Sequence, residues 1–511
     1  MCIRDSLMIG QSLVYHHFHI KHLCDFRYFS SYIAVSYNPD TFPLDFFCGE
    51  ILKLFTPLYP ATNQTMKSSI HLLLISLALS LTSTADDYAV VVSKATYMNK
   101  DWQPVVAALV KKHGAKVIEH DGEVVTVLGS LRAAFPRYSC FVATPKETTG
   151  AYVAQVHQLT RKLDDDPYTD TQWGILTGFN AANALAIARH TEPLTVRKVA
   201  SGTEIALECV TEGLWYDELV KNKHVRKRPG GKAELLRGPD DTTEAFTKVL
   251  TEYQPDLFIT SGHATEAGWQ IGFRYRNGFL KSKGGQMFGE NTRRERFEIK
   301  SPNPKVYLPI GNCLMGNING PDAMALAWMN DVAVMQMLGY TKPTWFGYQG
   351  WGVLDYYVEQ PGRYTLTEAF FANNHALIHR LRDSATPRGD LRGLAFDRDV
   401  VAFYGDPKWS AKMAEGKLAY GQKLTRSGDT YTFTISPKQG TKSFETVNNN
   451  GSQRGGRPIV AFLPNRVSDV QIIKGGTLSP LITDDFILVP RPKKHDGKSP
   501  LVVKFTAKEV R

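Results

Sequence analysis

From residue 86 onward the apolar positions follow two rhythms. Tyr88-Ala-Val-Val-Val92 is a short β-branched run that predicts a buried strand, and 116–118 and 140–143 read the same way. Over 101–112 (DWQPVVAALVKK) apolar residues recur at helical spacing, with Gly114 suited to the C-cap. A second helix is expected over 181–189. The rhythm continues with helix 242–253, strands 256–261 and 306–310, helix 321–329, strand 332–337 and helix 366–382. Strand–helix alternation of this kind predicts an α/β sheet flanked by helices. After about Ala419 the character changes. Segments 430–435, 459–462, 470–473, 486–489 and 501–505 alternate or run apolar between Gly, Pro, Asn and Asp, which predicts a small β-sandwich.

The chain has 511 residues, 43% of them hydrophobic and 22% charged, values that exclude a disordered or collagen-like protein. No apolar run reaches the roughly 18 residues that a membrane span needs. Residues 66–85 (MKSSIHLLLISLALSLTSTA) join a basic start, a twelve-residue apolar stretch and a small-residue exit, the three parts of a secretory signal. A signal must stand first, so 1–65 reads as translated upstream sequence, Met66 as the start and Asp86 as the first mature residue. The expected plan is therefore 1–65 upstream extension, 66–85 signal peptide, 86–235 N-terminal α/β subdomain, 236–418 catalytic α/β subdomain and 419–511 β-sandwich. Residues 86–160 could instead be a pro-region, but they share the strand–helix rhythm of the residues after them.

Lys plus Arg and Asp plus Glu balance in the first 85 residues, so the mature chain keeps the net +10. That excess raises the question of anionic partners. Its densest stretch, 221–238 (KNKHVRKRPGGKAELLRG), reads as an exposed loop without the aromatic or helical context of a nucleic-acid site, and 293–296 (RRER) reads as surface. No nucleic-acid partner is expected. Trimming leaves Cys140, Cys209 and Cys313, an odd number that implies at least one free thiol or an intermolecular bond in an exported protein.

Two apolar strands end in reactive side chains. Residues 257–266 (LFITSGHATE) deliver His263 after a glycine, and 306–316 (VYLPIGNCLMG) deliver Cys313 into a Gly- and Asn-containing loop. Sites in open α/β sheets form at the carboxyl ends of strands, and an imidazole beside a thiol raises the thiolate fraction. Each residue also has an ordinary explanation, the cysteine as a small core hydrophobe and the histidine as a loop residue.

SGHATEAGW at 261–269 resembles the GHGSETAW-type histidine block of the gingipains, cysteine peptidases of the caspase-like clan. NCLMGNI at 312–318 is similar to their ACVNGDF-type nucleophile block and YGDP at 404–407 to their FGDP-type motif, with an immunoglobulin-like domain following in both. The resemblance covers roughly 160–511. It implies a caspase/gingipain-like sheet flanked by helices, a C-terminal immunoglobulin-like β-sandwich, and a secreted cysteine endopeptidase acting on protein or peptide substrates. Location would be periplasmic, cell-surface or extracellular. Cys313 would be the nucleophile, His263 its base and later acid, and the backbone N–H groups of Cys313 and Ala264 the oxyanion hole. Ala264 stands where the family has glycine, and would be strained if the turn needs a positive φ. Aligning 166–178 with the family places Asp170 as the carboxylate that orients the histidine. Gln349 and Trp351 resemble a loop near the substrate pocket.

The chemistry so implied needs no cofactor or catalytic metal, while the acidic loop at 164–170 suits a structural calcium ion. His375 and His379, at i and i+4, could bind zinc but lack the glutamate of a zinc protease and are better read as packed or surface residues. No acidic residue lies between Gly174 and Thr191, which leaves the P1 preference open. The alternative is a catalytically inactive relative that serves as a cell-surface or extracellular binding module.

Overall fold

The computed structural model describes residues 87–510 apart from 450 and 452; the expected extension 1–65 and signal 66–85 lie outside the described residues. Twelve strands build one mixed sheet. In chain order they are β1 (Tyr88–Ser93), β2 (Lys116–His120), β3 (Tyr138–Val142), β4 (Gln172–Leu176), β5 (Lys198–Ser201), β6 (Glu212–Tyr216), β7 (Lys223–Lys227), β8 (Ala233–Arg237), β9 (Leu257–Thr260), β10 (Lys305–Pro309), β11 (Val334–Tyr340) and β12 (Val401–Tyr404). Their spatial order is β2-β1-β3-β4-β12-β11-β10-β9-β5-β6-β7-β8.

Two parallel blocks of opposite sense meet where β11 pairs antiparallel with β12, Leu338 opposite Phe403. The block of β11, β10, β9, β5 and β6 has all its carboxyl ends on one edge. Because the other block runs the opposite way, the amino end of β4 lies on that same edge. β9 and β10 are buried at every residue, as expected of apolar runs covered on both faces.

The flanking helices follow the expected caps. Gln103–His113 carries a proline in its first turn and ends on Gly114 at φ 65°. Leu366–Arg382 opens with a capping box between Thr365 and Glu368. The helix expected over 242–253 is α-helical at Thr243–Lys248 and widens to a π-turn at Val249–Tyr253. No helix among the described residues is long and apolar enough to cross a membrane.

Two segments depart from expectation. Residues 221–238 are not a loop but carry the β7–β8 hairpin, which extends the sheet edge. Its basic residues hide the alternation that a half-buried strand would show. Between 264 and 299 the chain adds a five-stranded antiparallel sheet (Ala264–Thr265, Gly268–Gln270, Phe279–Lys283, Gln286–Glu290, Arg296–Ile299) whose strands are too short to declare themselves in the pattern.

The twelve-stranded sheet draws strands from both 86–235 and 236–418, and Asp406 of the YGDP segment, just after β12, ties β12 to β1 and to the end of the helix Gln103–His113. Its carboxylate accepts hydrogen bonds from Tyr88 Oη at 2.8 Å and His113 Nε2 at 2.7 Å, and pairs with Lys112 Nζ at 3.0 Å. Burial alone would raise its pKa; His113 and Lys112 overcome that and hold it at about 2.

After residue 419 two antiparallel sheets share a second core. The four-stranded sheet contains Tyr420–Ser427, Thr430–Pro437, Leu501–Glu509 and Val467–Lys474, and the three-stranded one contains Ile459–Phe462, Phe486–Val489 and Leu481–Ile482. Alternation in 430–437 sends Tyr431, Phe433 and Ile435 inward against Val503 and Phe505. The three-stranded sheet is two-faced: Ile487 and Val489 join this core, whereas Phe486 and Leu488 join the core of the α/β region. The C-terminal sheets are thus packed into the α/β region rather than appended to it.

Candidate functional site

β9 and β10 pair in parallel, Leu257 opposite Val306 and Thr260 opposite Pro309, so their carboxyl ends emerge side by side about 4.8 Å apart. The β9 end leads through Ser261 and Gly262 to His263; the β10 end leads through Ile310, Gly311 and Asn312 to Cys313. Ile310 N–H donates to Thr260 O at 3.0 Å, continuing the ladder one step beyond β10. Asn312, fully buried, then locks the two loops. Its Nδ2 donates to Gly262 O at 3.0 Å and its Oδ1 accepts from Thr260 Oγ1 at 2.6 Å.

Backbone conformation at these turns is unusual where the reactive residues sit. Gly262 has φ 94°, a left-handed value that any side chain would resist. Ala264 keeps an ordinary φ, so the strain anticipated there is absent; the glycine two residues earlier takes the positive φ instead. Leu314, directly after Cys313, has φ 58°. A bulky residue in that region costs of order 1–3 kcal/mol and holds only where its surroundings dictate the turn. A Cβ on Gly311 would fall 2.6 Å from Ser261 Oγ and 2.9 Å from Trp351 Nε1, so only glycine lets the cysteine loop pass.

Among the described residues Cys313 is the half-buried thiol, and Cys140 and Cys209 are buried. Burial pushes the Cys209 thiol up to about 12 and Cys140 higher still, which makes both inert near neutrality. Thr344 holds the sulfur on both sides: its N–H donates to Cys313 Sγ at 3.2 Å and its carbonyl accepts from the thiol at 3.8 Å. Cys313 lines a cavity of about 360 Å³ with Glu218, Phe273, Trp345, Phe346 and Trp351 among its walls. His263 is exposed, stacks on Phe273 with ring centroids 4.6 Å apart, and lines a neighbouring cavity of about 440 Å³ together with Ala264. Gln270 N–H donates to His263 O at 2.9 Å, and the alternation of that ladder turns the Ala264 N–H away from the strand it pairs with.

Of the other candidates, Trp351 walls the Cys313 cavity and is 4% exposed. Gln349 does not reach that wall: it is fully buried, accepting from Asn373 Nδ2 at 3.1 Å. Asp170 is not brought to His263. It precedes β4, and three strands stand between β4 and β9, a separation of roughly 19 Å at about 4.8 Å per strand. Its carboxylate accepts from Leu163 N–H at 2.8 Å, and burial together with Asp164 pushes its pKa up to about 9.

A buried carboxyl that does lie beside the histidine loop is Glu218, on the turn after β6. Its Oε1 accepts from Thr203 Oγ1 at 2.8 Å, and its backbone carbonyl accepts from Phe273 N–H at 2.6 Å, which seats the ring that stacks on His263. A Cβ on Gly262 would lie 3.3 Å from Glu218 Oε2. Burial pushes its pKa up to about 7, against the Thr203 hydrogen bond. Sequence reasoning missed it for want of a strand assignment at β6; the apolar run Gly213-Leu-Trp-Tyr216 followed by Asp217 and Glu218 was the available signal.

A segment between the two C-terminal sheets completes the site. Gly451 lines the Cys313 cavity against Trp351. Nearby Arg454 pairs with Glu359, and Arg457, 2% exposed, donates to Asn373 Oδ1 at 2.8 Å and Tyr348 O at 3.1 Å.

The histidine pair is not arranged around a common ligand. His375 is buried, stacked on Phe486 at 4.1 Å, and burial lowers its pKa to about 3, while His379 is half-buried on the next turn. Asp164, Asp166 and Asp484 bring one carboxylate oxygen each within 4.8 Å of one another, oxygen donors of the kind calcium takes. Arg466 already pairs with Asp484 and supplies part of the counter-charge.

No family model, curated protein or solved structure matches this chain.

Proposed function

We propose that the chain is an exported cysteine-type endopeptidase of gingipain-like character, with Cys313 as nucleophile and His263 as general base. The observation that carries this reading is the half-buried Cys313 thiol, beside a cavity of about 360 Å³, on a loop bonded through Asn312 to the loop of His263. In the reaction His263 takes the thiol proton, the sulfur adds to the scissile carbonyl, and the C–N bond breaks as His263 returns the proton to the leaving amine. Water, deprotonated by the same imidazole, then hydrolyses the thioester and restores the thiol. Backbone N–H groups of Cys313 and Ala264 serve as the oxyanion donors, each worth about 10²–10³ in rate. Glu218, rather than Asp170, supports the histidine: its backbone carbonyl seats Phe273, on which His263 stacks. No cofactor takes part; calcium at Asp164, Asp166 and Asp484 is the structural ion this reading allows. The β-sandwich is read as immunoglobulin-like, on the strength of its two antiparallel sheets with a common core.

The rate of Cys313 alkylation by iodoacetamide across pH 5–9 tests this reading. If His263 supports the thiolate, wild type reacts well below the ordinary thiol pKa of about 8.5, and His263→Ala moves the midpoint up to it. Identical profiles would favour a second reading, a catalytically inactive relative used for binding. The observation on that side is that His263 is exposed and lines a cavity other than that of Cys313.

A further inference from the structure

The β7–β8 hairpin carries basic charge and exposed apolar side chains on an open strand edge. Residues 221–237 hold seven Lys or Arg against one Glu. Lys221 and Lys223 are paired with Asp240 and Asp217, and Lys227 Nζ is bound by the carbonyls of Leu207 and Val210. Arg226, Arg228, Lys232 and Arg237 have no ion-pair partner among the described residues. Every residue of β8 is exposed, Leu235 to 71% and Leu236 to 40%. Neighbouring residues of a strand face opposite ways, so both faces of β8 stand clear of the helices that cover the rest of the sheet.

The outer edge of β8 is open as well. β8 pairs with β7 alone and ends the spatial order of the sheet. Gly238 N–H donates to Asn222 O at 2.7 Å, and Asp217 N–H donates to Lys223 O at 3.0 Å. Lys223 therefore turns its polar groups toward β6, and Arg237 opposite it turns its own outward. The alternation of an antiparallel ladder places the N–H and C=O of Leu235 and Ala233 on the outside too. Proteins protect such edges with charge, but charge alone does not require two adjacent exposed leucines beside it.

We infer that β8 is a docking edge for an extended, acidic segment of a partner protein, which adds as a thirteenth strand. Main-chain groups complete the ladder, apolar side chains cover Leu235 and Leu236, and carboxylates meet Arg226, Arg228, Lys232 and Arg237. A second copy of this chain is the wrong occupant, because it would bring together two hairpins that each hold seven Lys or Arg against one Glu. Lipid headgroups and nucleic acid would meet the charge and leave the row of outward N–H and C=O groups without a strand partner. The inference stands apart from the peptidase reading and does not depend on Cys313.

The test uses the full chain and a fluorescein-labelled eight-residue peptide of paired leucines and paired glutamates (LLEELLEE), which places leucine and glutamate on both faces of the added strand, read by anisotropy. Saturable binding is expected, at least tenfold weaker for the triple variant Arg226→Glu, Arg228→Glu, Arg237→Glu. Leu235→Pro removes one outward N–H and is expected to weaken binding similarly; Leu235→Ala, checked by circular dichroism, covers the case in which proline unfolds the hairpin. A peptide with proline replacing each leucine should not bind. No binding, equal binding of the proline peptide, or tighter binding of duplex DNA or of phosphatidylglycerol vesicles with the same sensitivity to the triple variant would overturn the proposal. So would sedimentation showing dimers that the triple variant or Leu235→Pro abolishes.

Discussion

The Asn312 side-chain amide donates to the Gly262 carbonyl at 3.0 Å, and that bond couples the loop of Cys313 to the loop of His263. Asn312 is buried and also accepts from Thr260 Oγ1. Asn312→Ala should leave buried polar groups without partners, at about 1–3 kcal/mol of stability. The reactive loops should separate, and peptidase activity should fall at least tenfold. Urea unfolding and peptide hydrolysis measure the two effects; unchanged activity would mean that the loops hold their positions independently.

Two of the buried aspartates, Asp170 and Asp406, should respond oppositely to substitution by asparagine. Asp406 is held at about 2 by His113 and Lys112 despite burial, so Asp406→Asn leaves the Lys112 ammonium and the His113 ring without their carboxylate and should cost about 3–5 kcal/mol. Its contribution is present above the unfolded pKa of about 3.9 and is lost as pH falls toward 2. Asp170 has its pKa pushed up to about 9 and is protonated at pH 7, where Asp170→Asn should unfold at the same or higher urea concentration. Its kcat/KM should stay within about twofold of wild type. A loss near 10⁴, the effect expected of a carboxylate that orients a catalytic histidine, would contradict the geometry.

Glu218 predicts a pH dependence of the opposite sense from Asp406. Its folded pKa of about 7 exceeds the ordinary 4.5, so between those values the folded state binds the proton that the unfolded state has released. Stability therefore falls as pH rises from 4.5 to 7, by roughly 3 kcal/mol at about 1.4 kcal/mol per pH step. Glu218→Gln should flatten this slope. Denaturant midpoints at pH 5 and 7.5 decide it; the same slope in the variant would place the titrating group elsewhere.

Truncation after residue 418 should not leave a stable α/β domain. Arg457, Phe486 and Leu488 would be withdrawn from its interior, baring Tyr348, Asn373 and His375. The truncated chain should be insoluble or lack a cooperative melt in circular dichroism. A soluble fragment with a sharp transition would show the sandwich to be dispensable.

Much of the α/β order was legible because its strands are short apolar runs and its helices carry ordinary caps. The β9 and β10 runs also announced His263 and Cys313 at their carboxyl ends. What stayed hidden depends on contacts distant in the chain. Asp170 was assigned by alignment of a motif, yet its place before β4 depends on the strand order, which no local pattern encodes. Glu218 follows a strand whose apolar run was passed over, and its closeness to the histidine loop comes from β5 and β6 pairing beyond β9. The sandwich strands were readable by alternation, but the second, inward face of Phe486 and Leu488 was not, since it exists only against the α/β core.

The central claim is that Cys313 cleaves peptide bonds. The most direct measurement incubates wild type and Cys313→Ala, both shown to be folded, with a diverse peptide library at pH 7–8 under reducing conditions with calcium, and reads the cuts by mass spectrometry. The account predicts cleavage by wild type with a definite P1 preference and none by Cys313→Ala. Identical product sets from the two proteins, or no cleavage by either once any N-terminal pro-segment has been removed, would contradict it.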